Sequence, residues 1–149
     1  MLRVFAAVIL LAAFGCNAES GGYDELRARP EAGLIFPGSD QLRDGGFDAE
    51  MTPDGPQAAQ WWAIFGTHAS SAEILAFYEA ELASRGWEPG GGSSGISGTN
   101  EESASAWHTN DFVFRLGFWK PERWTEDDES PYATVYEIRL IERTVGPAD

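Results

Sequence analysis

The chain has 149 residues, 43% of them hydrophobic and 13% aromatic, which is enough for one domain with a buried core and short of two. With 24 acidic against 10 basic side chains and a net charge of -14, it excludes binding driven by displacing counterions from nucleic-acid phosphates, and it disfavours docking onto anionic lipid headgroups. The single cysteine, Cys16, excludes an internal disulfide.

The first residues follow the logic of an export signal. Arg3 supplies a positive end, residues 4–14 form an apolar run of eleven, and small residues flank Cys16. The run is too short to span a bilayer, which takes about 20 apolar residues in helical form. It reads as a cleaved signal over residues 1–15.

Ala13-Phe14-Gly15-Cys16 resembles the lipobox of bacterial lipoproteins, with Ala13 and Phe14 standing where that family favours Leu and a small residue. The resemblance implies cleavage before Cys16, a diacylglyceryl group on its sulfur, and a chain held at the outer face of a cell membrane by that lipid. Ordinary signal cleavage is the alternative, because Ala13-Phe14-Gly15 also satisfies a small-x-small rule; it would leave a soluble secreted or periplasmic protein. Residues 16–22 then form the lipidated cysteine and a small, polar tether, and residues 23–149 a single domain.

Within that domain, residues 23–32 suit a helical turn or two stopped near Pro30. Leu34-Ile35-Phe36, closed by Pro37-Gly38, reads as a first strand and turn. Residues 40–56, rich in Gly, Pro and acids with Leu42 and Phe47 as the main apolar residues, read as a loop that extends the strand through Leu42 at most. Residues 57–67, QAAQWWAIFGT, form a strand apolar on both faces, with Trp61, Ala63 and Phe65 on one side and Trp62 and Ile64 on the other.

The best-specified element is SSAEILAFYEAELASRGW over residues 70–87. Ser70 and Glu73 make a capping box, Ile74, Phe77, Tyr78 and Leu82 make one apolar stripe, and Gly86-Trp87 suit a Schellman ending. Tyr78, Glu79 and Glu81 on this helix are read as structural. The glycine-rich run from Gly90 to Ser103 follows a helix and lacks Gly-Lys-Ser/Thr, so it is a loop and not a phosphate cradle.

Residues 104–119 read as a hairpin turning at Thr109-Asn110-Asp111. In its second arm Phe112, Phe114, Leu116 and Phe118 face the helix. A final strand over residues 132–144 puts Tyr136, Ile138 and Leu140 inside and Glu137, Arg139, Ile141 and Arg143 on a wet face. The expected fold is α+β, two layers, a mainly antiparallel sheet with one helix on one face in the order β-β-α-β-β-β. The stretches GLIFPGS and FYEAELASRGW with the C-terminal hairpin resemble small lipoproteins and secreted proteins of high-GC bacteria, a resemblance that carries no activity to any residue.

Chemistry-bearing groups are sparse. His68 and His108 belong to no HExxH pair, and no GxSxG elbow is present, so neither a catalytic residue nor a cofactor is expected. The run Glu126-Asp127-Asp128-Glu129 lacks EF-hand spacing; Asp127 and Asp128 are weak metal candidates against the reading of a solvated loop. Six tryptophans invite a binding role, with Trp61, Trp62, Trp119 and Trp124 as the candidate surface. The expectation is a non-catalytic envelope lipoprotein that binds a protein or envelope component. The alternative is an accessory that binds a small molecule or saccharide through an apolar pocket with convergent polar groups; a hydrolase ranks below both.

Overall fold

The computed structural model describes residues 22–90, 101–119 and 131–143. Its elements run α1 (Tyr23–Ala28), a 3-10 turn (Pro30–Gly33), β1 (Asp40–Phe47), β2 (Glu50–Thr52), β3 (Gly55–Gln57), β4 (Gln60–Thr67), α2 (Ser71–Ser84), β5 (Glu88–Gly90), β6 (Glu101–His108), β7 (Phe112–Trp119) and β8 (Thr134–Glu142). Six strands make one antiparallel sheet in the order β1-β4-β8-β7-β6-β5, and β2 with β3 form a separate hairpin. The fold is α+β, with the main helix α2 and the short N-terminal elements on one face of the sheet. No helix among the described residues is long and apolar enough to cross a membrane.

The alternation of apolar residues fixes that face. Trp61, Ala63 and Phe65 of β4, Tyr136, Ile138 and Leu140 of β8, and Phe114, Leu116 and Phe118 of β7 point the same way and pack against Ile74, Tyr78 and Leu82 of α2. Each such side chain taken fully out of water is worth roughly 1.5 to 3 kcal/mol, more than the helix gains from its own propensities. Tyr78 sits at the centre. Its ring meets Phe77, Phe114 and Tyr136 at centroid distances of 5.2, 5.5 and 6.1 Å. Burial pushes its hydroxyl well above the usual phenol range, so it stays a neutral donor to the Leu34 carbonyl, 2.9 Å away.

Both ends of α2 are built as the sequence signals. The Ser70 hydroxyl accepts from the Glu73 amide, and the Glu73 carboxylate accepts from the Ser70 amide at 2.9 Å. The bonds donated to it by the Ser70 amide and by the Ser70 hydroxyl hold the Glu73 carboxyl below the usual carboxylate range. At the other end Trp87 N–H donates to the Leu82 carbonyl and Gly86 N–H to that of Ala83, the paired bonds of a Schellman motif, with Gly86 at φ +80°. Gly86→Ala places a side chain in left-handed backbone and is expected to cost about 1 to 2 kcal/mol, read as a lower urea midpoint at unchanged slope. An unchanged midpoint would show that the turn tolerates it.

The helical turns before Pro30 lie where the sequence places them, but the segment that follows departs from the sequence reading. Residues 34–36 are not a strand: Leu34 N–H closes the 3-10 turn onto Glu31, and its carbonyl is taken by Tyr78, so the backbone groups a strand needs are already used. The turn at Pro37-Gly38 is present, closed by Ser39 N–H to the Phe36 carbonyl. The edge strand is instead β1, within the stretch read as a loop, and β2 and β3 also fall there. Its register on β4 shifts between Gln41 and Arg43, which makes Leu42 the bulged residue.

Candidate functional site

Three places in the described residues combine chemistry with geometry. The first is the sheet face away from α2. Here Trp62 and Ile64 of β4, Val135, Glu137, Arg139 and Ile141 of β8, and Val113, Arg115, Gly117 and Trp119 of β7 share one side by register. The expected wet face of β8 is corrected: Val135 and Glu137 are buried, as are Ile64 and Arg115. Arg139 donates through Nε to Glu137 Oε1 at 2.7 Å, with a second contact from its terminal nitrogen, and to the Gln60 amide oxygen at 3.3 Å. Alternation alone cannot distinguish a solvated charged row from charges that neutralise one another on a covered face, which is why this feature escapes a sequence reading.

The tryptophan pair is separated by this geometry. Trp61 lies under the α layer at 5% exposure, so it is core and not surface. Trp62 is half-buried with its indole laid over Gly45 of β1, where a Cβ would fall 2.6 Å from the ring. Trp119 is half-buried on the same face. Trp124, Asp127, Asp128, Cys16 and residues 91–100 of the glycine-rich run lie outside the described residues, and the ends of that run, read as loop, belong to β5 and β6.

The second place is an open polar cleft of about 340 Å³ at the opposite sheet edge, lined by Gly86, Glu88, His108, Thr109, Asn110 and Arg143. Glu88 and His108 face each other across β5 and β6, with His108 Nε2 3.7 Å from the Glu88 carboxylate. The other histidine, His68, lies against Tyr132 at a ring distance of 6.2 Å. Among the described residues, no group of three or more His, Cys, Asp and Glu converges as a metal site would require.

The third place is the β1 edge. The exposed large hydrophobics among the described residues are Ile35 (41%), Leu42 (36%) and Met51 (79%), and all fall between the loop that enters β1 and the β2–β3 hairpin that follows it. The chain enters the domain beside the same edge: the Tyr23 amide donates to the Asp48 carboxylate at 2.7 Å, and the Tyr23 ring covers Gly46. The warning the sequence carries here is Leu42 itself, an apolar residue in a mostly polar stretch.

A buried cluster beneath α2 is structural. Trp87 Nε1 donates to Glu31 Oε1 at 3.3 Å, Glu31 Oε2 lies 3.3 Å from Arg29 Nε, and the Arg29 guanidinium sits 3.8 Å over the Phe112 ring. It ties the N-terminal segment to the end of α2. Comparison with protein-family models, curated proteins and solved structures finds no match for this chain.

Proposed function

We propose that this chain is a non-catalytic lipoprotein of the bacterial cell envelope, anchored through Cys16, that docks a partner protein along its β1 edge. The observation that carries the docking site is the concentration of exposed apolar side chains, Ile35, Leu42 and Met51, beside the strand that forms the sheet's edge among the described residues. An edge of this kind accepts an extended segment through main-chain hydrogen bonds, while side chains supply selectivity. Asp40, Asp44, Asp48, Glu50 and Asp54 line the same region, so the partner segment is basic or neutral and an anionic membrane is repelled.

The tether adds a constraint on where the partner lies. Residues 17–22 reach at most about 20 Å when extended, and Gly22 and Tyr23 join the domain beside Asp48 and Gly46. The docking edge is therefore held close to the membrane that carries the lipid.

The test is site-specific photo-crosslinking in intact cells from positions 42 and 51, compared with position 79 on the exposed face of α2. Adducts from 42 and 51 and none from 79 are expected, with Leu42→Asp plus Met51→Asp reducing them at least tenfold. An adduct with a second copy of this chain would replace the foreign partner by self-association, and no adduct at all would end the docking proposal. Cys16→Ser is expected to move the protein from the membrane to the soluble fraction; retention on the membrane would end the anchor.

A further inference from the structure

The polar cleft at the β5–β6 edge lies across the sheet from β1 and does not rest on the docking proposal. Its walls are held by backbone bonds. Thr109 N–H donates to the Phe112 carbonyl at 2.9 Å, Phe112 N–H to the Thr109 hydroxyl at 3.2 Å, and Arg143 N–H to the Asp111 carbonyl at 2.7 Å. A hairpin turn, the end of the central strand β8 and the Schellman turn after α2 thus meet at one rim.

Arg143 differs from the other arginines whose partners are on view. Arg27, Arg29, Arg85 and Arg139 each meet a carboxylate. Arg143 instead donates from one terminal nitrogen to the Thr109 carbonyl at 3.1 Å. That bond aims the guanidinium without neutralising it, and among the described residues the rest of its donor fork stays available for a planar acceptor. Asn110 adds an amide beside it. Facing these groups, Glu88 is 80% exposed and held only by the 3.7 Å contact with His108.

We propose that this cleft binds a small zwitterion, an α-amino carboxylate of the size of a free amino acid. The carboxylate takes the Arg143 fork and the Asn110 amide, and the ammonium takes Glu88, which His108 steadies. The charge of the whole chain decides against the simpler ligands. A net charge of -14 repels a plain anion, and Arg143 repels a plain cation, whereas a zwitterion is neutral overall and matches both ends. Among the described residues the lining offers no ring of Trp, Tyr or Phe for a sugar to stack on. The volume lies near the lower end of ligand pockets, which suits a small molecule.

Because the groups are exposed, the expected affinity is weak, with a dissociation constant on the order of 1 mM. The test is an amide NMR titration of the mature protein with L-alanine, with acetate and ethylammonium as half-ligands. L-alanine is expected to give saturable shifts at residues 86, 88, 108–110 and 143, with each half-ligand about tenfold weaker or worse. Arg143→Gln should weaken L-alanine about tenfold and Glu88→Gln about threefold, the core amides being unmoved. Glu88 lies on an exposed three-residue strand, so its variant reads one end of the ligand even if the Arg143 variant unfolds. Absence of saturable shifts, binding unaltered by Glu88→Gln, or acetate matching L-alanine would each overturn the proposal, the last by making the cleft a plain anion site.

Discussion

Phe114→Ala is expected to remove about 3 to 5 kcal/mol of folding stability, the usual cost of deleting a wholly enclosed aromatic ring. Phe114 is fully buried, and its ring is shared by Tyr78 at 5.5 Å, Trp87 at 6.1 Å and Trp107 at 6.2 Å. It joins three elements, since Tyr78 belongs to α2, Trp87 to the turn after it, and Trp107 to the neighbouring strand β6. Tyr78 and Trp87 are held by hydrogen bonds to the Leu34 carbonyl and to Glu31, so neither collapses freely into the void. A domain of this size has roughly 5 to 15 kcal/mol in hand, so the variant is left marginal. Urea denaturation followed by tryptophan fluorescence measures it, and a loss below about 1 kcal/mol would mean that the site relaxes freely.

A different balance governs the covered sheet face. Glu137→Ala is expected to cost about 3 kcal/mol, because it strips the counter-charge from Arg139, whose side chain is only 16% exposed beside a glutamate at 5%. Replacing both by methionine is expected to recover most of that loss, since a buried pair is largely offset by the desolvation of its two ions. A double-mutant cycle separates the cases. If Glu137→Ala and the double replacement lose the same stability, the pair contributes nothing beyond its packing, and the account of this face is wrong.

How much of this was legible in the sequence depended on whether a segment carries its own periodicity. The helix from Ser71 to Ser84 was readable at both ends because its cap, stripe and glycine stop agree locally. The hairpin turning at residues 109–111 was readable for the same reason, with four apolar residues alternating along β7. The edge strand β1 was not. Two of its positions are Gly45 and Gly46, whose missing side chains are replaced by the rings of Trp62 and Tyr23 from other elements, so the pattern that marks this strand is written elsewhere in the chain. The apolar run Leu34-Ile35-Phe36 misled in the opposite direction: Leu34 is buried, as a core residue should be, but in a coil whose carbonyl serves Tyr78.

The candidate sites were less legible than the fold. Trp61 and Trp62 are adjacent and chemically identical, and only the pairing of β4 between β1 and β8 shows that one is core while the other covers a glycine. The polar cleft brings Glu88, His108 and Arg143 together from three separate elements, and no spacing in the chain announces it. Leu42 already stood out as apolar in a polar stretch, whereas Met51 stands out only through its 79% exposure.

The order of the sheet has a consequence for how this chain acquires its shape. β8 comes last of the eight strands along the chain, yet it lies in the middle of the sheet, between β4 and β7. Until it arrives, β1 with β4 on one side and β5, β6 and β7 on the other are two open half-sheets with no shared hydrogen bonds. The chain therefore reaches its final shape by inserting its final strand as a keystone. A chain from which β8 is withheld keeps the two half-sheets apart, so the domain locks only when that segment is in place.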